Sequence, residues 1–368
     1  MGSREGDAGH DEGLASGYAS VLHVGRAAEL RSAYYIWEPS RAALGLLHSH
    51  IGWYVGEGTG FILGAPQARG MSPRLGLLRR VGVASTVFAF ALVVWGAIVR
   101  INGAGMTCPD WPRCRGAWFP TLDPQVMYEY YHRVGAALLT VIVIATFLAA
   151  WLARSEAPAA FKASWVSLGL IVAQIVAGAV TIVLQNDAPS VAVHLVLGFS
   201  TFVSLLMVTV IAYAQPAGGA HAGPDDRFKW LALSTTSLAF LAVFAGGWMA
   251  ASNDGLACTA LPLCGAAGDM TPAQQIHMAH RYVAYVTIAA AFVTWFGAVR
   301  TLRLDPLARL ASWIALVLAV LQGALGAATI ASGLEPVLRS WHEANAALLI
   351  ASLVVLTYFA FRPRRASA

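Results

Sequence analysis

Between residues 81 and 361 the chain falls into eight uncharged apolar runs, at 81–99, 134–153, 163–186, 195–214, 230–253, 282–299, 310–334 and 344–361. A helix crosses a bilayer with roughly 20 apolar residues, whereas a membrane barrel strand is half that length and alternates apolar with polar positions. The runs therefore predict an all-α integral membrane protein with eight transmembrane helices. Composition agrees, with 58% hydrophobic and only 12% charged residues. The net charge of +5 forms no basic stripe of the kind that binds nucleic acid.

The eight runs also repeat as two sets of four. Cys108 and Cys114 recur as Cys258 and Cys264 at a spacing of 150. His132-Arg133 recurs as His280-Arg281, Gln174 as Gln322, Gly178 as Gly326, Thr181 as Thr329 and His194 as His342, all at a spacing of 148. A duplicated and fused ancestral unit accounts for both spacings. Each unit holds an even number of helices, so the two tandem four-helix bundles are expected to share one orientation, related by a pseudo-two-fold axis along the membrane normal.

Short cytoplasmic loops retain Lys and Arg. Arg74, Arg79 and Arg80, then Arg154 and Lys162, Arg227 and Lys229, Arg300, Arg303 and Arg309, and finally Arg362, Arg364 and Arg365 all fall on one side. Both termini are then cytoplasmic, and the cysteine loops face outward. The expected organisation is an N-terminal extension over 1–75, with Met71 the natural start, a first half over 76–215, a cytoplasmic linker over 216–228, a second half over 229–362 and a cytoplasmic tail over 363–368.

Two matched cysteine pairs in outward loops suit two disulfides, Cys108–Cys114 and Cys258–Cys264. Zinc is the competing reading, although no histidine lies within either ring. Imidazoles are costly inside a bilayer and commonly mark a cofactor or proton path there. His132 and His194, on helices that run in the same direction, can ligate one iron from opposite sides, as can His280 and His342. A haem makes the best use of two axial imidazoles and an apolar slot, with Arg133 and Arg281 as candidate propionate partners. Copper or zinc would ask for three or more ligands grouped together. Gln174, Gln322, Gly178 and Gly326 read as helix-packing residues or haem contacts. Glu129, three residues before His132, is replaced at the matching position of the second copy by His277. A carboxylate so placed can serve as a base or proton acceptor, or simply as a helix-start acid.

The stretch Asn102-Gly103-Ala104-Gly105-Met106-Thr107-Cys108-Pro109-Asp110-Trp111-Pro112-Arg113-Cys114, followed by Glu129-Tyr130-Tyr131-His132-Arg133, resembles the haem A synthase family. The likeness spans roughly residues 75–362. It implies eight inner-membrane helices in two similar halves and oxidation of the C8 methyl of haem O to the formyl of haem A for cytochrome oxidase. It also implies that His132 and His194 receive the substrate haem beside a catalytic Glu129, and that His280 and His342 hold a haem b. Expected partners are haem O as substrate, a haem O synthase, a quinone or other electron acceptor, oxidase assembly factors, membrane lipid and a second copy of the chain. A diheme b-type electron carrier working with quinone, or a haem exporter using the tryptophans of the first loop (Trp111, Trp118), would share much of this pattern.

Overall fold

The computed structural model describes residues 72–121, 123–214, 226–265, 268–300 and 305–362. Residues 1–71 of the expected N-terminal extension, with the natural start expected at Met71, most of the linker and the tail lie outside the described residues, while Pro73, Arg74 and Leu75 already belong to the first helix. Eight helices follow in order: α1 (Pro73–Ile101), α2 (Pro124–Leu152), α3 (Pro158–Val183), α4 (Ala188–Tyr213), α5 (Asp226–Ala251), α6 (Pro272–Arg300), α7 (Pro306–Ala331) and α8 (Pro336–Phe361). All eight are long and apolar enough to span a membrane. Among the described residues the only other regular pairing is an isolated bridge between Cys114 and Ala117. The chain is an all-α, multi-pass membrane protein.

The helices start earlier than the apolar runs do, because their first turns are polar and carry start signals of their own. Ser72, Asp123, Asp187, Asp305 and Glu335 cap α1, α2, α4, α7 and α8 through their side chains, each followed by proline in the first turn. At α6 a reciprocal capping box does the same, Thr271 N–H donating to Gln274 Oε1 and Gln274 N–H to Thr271 Oγ1. His132 and His280 consequently lie two turns inside α2 and α6 rather than at their beginnings.

Within the first set α1 packs on α2 and α4, and α3 on α2 and α4; within the second α5 packs on α6 and α8, and α7 on α6 and α8. The sets meet through α4 on α5, α1 on α8 and α4 on α8. Of these helices α4 and α8, which meet each other as well, are the most buried: half of their apolar stretch is buried, against 11% in α7. Lipid is as apolar as leucine, so close backbone approach and hydroxyl pairs hold such helices together. The Thr86 and Thr209 hydroxyls meet at 3.1 Å between α1 and α4, and the repeat-related Thr236 and Thr357 meet at 2.9 Å between α5 and α8. The duplication is thus visible in individual bonds as well as in spacing.

Candidate functional site

Both cysteine pairs are disulfide-bonded, as expected, and each closes a small loop. Each loop is held down by the arginine that follows the first histidine of its half. Arg133 donates to the carbonyls of Cys108 (2.6 Å), Asp110 (2.5 Å) and Arg113 (2.7 Å). Arg281 donates to those of Cys258 (2.5 Å), Ala260 (2.6 Å) and Pro262 (3.4 Å). Cys108 and Asp110 map onto Cys258 and Ala260 at the loop spacing of 150, so the two clamps are the same device. The planar five-donor fork of arginine suits several carbonyls at once. The guanidiniums that the sequence offered to haem propionates are occupied in this way.

The first loop carries two further ties. Asp110 accepts from the backbone N–H of Arg115 and Gly116, and Asp123 accepts from Val126 N–H and pairs with Arg115 at 3.0 Å. The bond from Gly116 holds the Asp110 carboxyl below its ordinary value, and the bond from Val126 does so for Asp123. A depressed carboxyl stabilises the folded loop fully above its unfolded pKa, about 4, and loses that contribution as pH falls through the lower folded value. The matching positions of the second loop are Ala260 and Thr271. Amide exchange between residues 107 and 118 is expected to quicken below about pH 4 while residues 256–265 change little. Equal quickening in both loops would show that these carboxylates are not what orders the first.

Beneath the loops lie the four histidines, six to eight residues inside their helices, which is about 9–12 Å of rise. His132 stands on α2 and His194 on α4, and the matching His280 and His342 stand on α6 and α8. Every ring rests against a glycine of the preceding helix. A Cβ added at Gly96 would stand 3.0 Å from His132 Cε1, at Gly178 3.1 Å from His194 Cε1, at Gly246 2.8 Å from His280 Cε1 and at Gly326 3.2 Å from His342 Cε1. Gly178 and Gly326, read from sequence as packing residues or haem contacts, are in fact imidazole seats. Gly96 and Gly246 went unnoticed, although their spacing of 150 equals that of the cysteines.

The two sites differ in how their imidazoles are restrained. In the second set His280 Nδ1 lies 3.1 Å from the Ala242 carbonyl. The Gln322 amide nitrogen approaches both ring nitrogens of His342 at 3.1–3.3 Å, while Gln322 Oε1 accepts from Asn345 Nδ2 at 2.6 Å. In the first set Gln174 reaches His194 at 3.4 Å, Leu197 stands where Asn345 would be, and Gln174 Oε1 and the Nδ1 atoms of His132 and His194 are buried without partners. Glu129 is 7% exposed and pairs with Arg133 Nε at 2.7 Å, one turn from His132. His277, its counterpart, is 1% exposed, with Nδ1 3.0 Å from the Asp254 carbonyl.

These features fit an iron porphyrin. Paired half-buried imidazoles with seated rings can supply two axial nitrogens, and a ring fixed through Nδ1, as His280 is, leaves Nε2 for the metal. Among the described residues no cluster of three or more His, Cys, Asp or Glu could hold a bare ion.

The sequence model of a family described as cytochrome oxidase assembly protein, COX15-CtaA, matches residues 79–129 and 124–354. The chain is 27% identical over 290 residues to the Heme A synthase of Geobacillus kaustophilus, covering 77% of this chain and 91% of that one. It is 29% identical over 265 residues to the Heme A synthase of Symbiobacterium thermophilum, covering 68% and 84%. Over 320 residues it is 27% identical to the Heme A synthase of Shewanella oneidensis, covering 74% and 93%.

Proposed function

Since the chain belongs to the COX15-CtaA family of cytochrome oxidase assembly proteins, we propose that it is a haem A synthase, an oxidoreductase that converts the C8 methyl of haem O into the formyl of haem A. It works as a multi-pass protein of the bacterial inner membrane with both termini cytoplasmic, receives haem O from a haem O synthase and passes electrons to a quinone or other acceptor. The first half, with His132 and His194, takes the substrate; the second, with His280 and His342, holds a resident haem b.

One observation carries this division of labour: two halves that share loops, clamps and glycine seats differ in how firmly their imidazoles are held. The bond from His280 Nδ1 to the Ala242 carbonyl fixes that ring, leaves its Nε2 free for a metal and suits a permanent cofactor. Rings whose Nδ1 atoms lack partners suit a porphyrin that must arrive and leave. Glu129 stands only in the less restrained half. Raising a methyl carbon to an aldehyde, with water supplying the oxygen, removes four electrons and releases four protons beside the ring. When bound, haem b supplies a one-electron relay for those electrons. The Glu129 carboxylate, one turn from His132, accepts protons and stabilises developing positive charge, while Arg133 holds it in place.

The test is to express the full chain with a source of haem O and extract the haems. Haem A should appear with the wild-type chain, and Glu129→Gln should lower it at least about a hundredfold with the absorption of the resident haem unchanged. A wild-type chain that yields a fixed haem b and no haem A would be an electron carrier, and one that only loads haem reversibly would be a transporter. Undiminished haem A from Glu129→Gln would remove that residue from the mechanism.

A further inference from the structure

Where α1 of the first set meets α8 of the second, a charged cluster lies at the level of the histidines. Arg100, in the last turn of α1 and one turn beyond the Gly96 seat, reaches across to Glu343, the residue after His342, with Nη2 and Oε2 3.0 Å apart. The side chains are 23% and 11% exposed, and the pair uses only half of each group: Arg100 Nη1 and Glu343 Oε1 are buried without partners. Arg339 lies one turn before His342 and four residues before Glu343, on the same face of α8. Two guanidiniums thus stand beside one carboxylate, which leaves the cluster one negative charge short. An uncompensated charge in such surroundings is costly.

The duplication does not require this cluster. The positions matching Arg100, Arg339 and Glu343 in the other half are Ala250, Val191 and Leu195. Arg133 and Arg281, the other arginines near the histidines, direct donors to the loop carbonyls. We propose that Arg100, lent by the first half, clamps a carboxylate of the porphyrin held between His280 and His342 in the second half, with Arg339 beside it and Glu343 as the internal competitor that holds Arg100 in position when that carboxylate is absent. The clamp rests on the assignment of haem b to the second half. It adds that this site takes a residue from the other half, so the two halves form one cofactor site.

The experiment titrates the purified full chain, stripped of haem, with haem and with haem dimethyl ester, whose carboxylates are masked. Binding is followed through the bis-imidazole absorption bands, with His132→Ala present throughout so that only the second site reports. The unmasked haem should bind about tenfold more tightly than the ester. Arg100→Gln should abolish the preference by weakening haem and leaving the ester alone, Arg100→Lys should keep part of it, and Glu343→Gln should widen it. The opposite signs of Arg100→Gln and Glu343→Gln separate a clamp from general damage to the fold. Equal binding of haem and ester by the His132→Ala chain would assign the cluster's missing anion to a lipid headgroup or a free ion and overturn the proposal, as would a preference that survives Arg100→Gln. Loss of bis-imidazole bands for both ligands in the His132→Ala chain would instead overturn the haem b assignment itself.

Discussion

Gly246→Val is expected to strip haem from the second half, to below a tenth of wild-type content, while the eight helices remain assembled. The first added carbon would stand 2.8 Å from His280 Cε1 and 3.1 Å from Nδ1, closer than nonbonded carbon atoms tolerate. The ring is held where it is, because its Nδ1 lies 3.1 Å from the carbonyl of Ala242, one turn from Gly246 on α5. Overpacking in a filled interior costs about 1–3 kcal/mol, which helix packing can absorb. An iron–nitrogen bond cannot absorb it, since its strength depends on where the lone pair points. The same argument grades an alanine series by distance, with Gly246→Ala worst and Gly326→Ala, at 3.2 Å, mildest. Haem per chain and the paramagnetic resonance of the ferric bis-imidazole centre report the ligand plane directly. Wild-type signals from all four alanine variants would reduce these glycines to helix-packing residues.

The legible part of this protein was the part that repeats. Eight spans, two cysteine bridges and four histidines announce themselves because hydropathy and spacing are properties of the sequence itself. The helix starts were read late, at 134 rather than 124 for α2, because an apolar window stops at charge, and Glu129 and Arg133 are charges that the fold takes inside. The loop clamps made by Arg133 and Arg281 leave no sequence signal for a different reason. Their acceptors are backbone carbonyls, which every residue has and which leave no mark in a sequence. The glycine seats did leave a mark, at the same two spacings as the residues they serve, but glycine is so common in packed membrane helices that its repetition reads as packing. Arg100 and Glu343 are 243 residues apart and match nothing in the other copy, so only the contact of α1 with α8 brings them together.

Replacing the two clamp arginines should separate structure from chemistry, because the same side chain has one additional partner in the first half. Arg281→Leu removes donors from three carbonyls of the second loop. The Cys258 carbonyl, on a residue 1% exposed, loses its bond with little water to replace it, whereas those of the exposed Ala260 and Pro262 regain water. Bonds from a charged donor contribute about 1.5–3 kcal/mol each, so the net loss should be about 2–4 kcal/mol, read as a lower melting temperature and faster amide exchange over residues 256–265. Arg133→Leu should loosen residues 107–118 to a similar degree and in addition release Glu129, whose carboxylate would then lie buried with no cation at 2.7 Å. Haem A formation should therefore fall much further with Arg133→Leu than with Arg281→Leu, although the two lose comparable stability. Lysine at either position should rescue little of the loop, since a single ammonium cannot reproduce a planar fork that spans several carbonyls. If both leucine variants lost haem A formation equally, activity would follow loop order alone, and the pairing of Arg133 with Glu129 would have no separate part in the reaction.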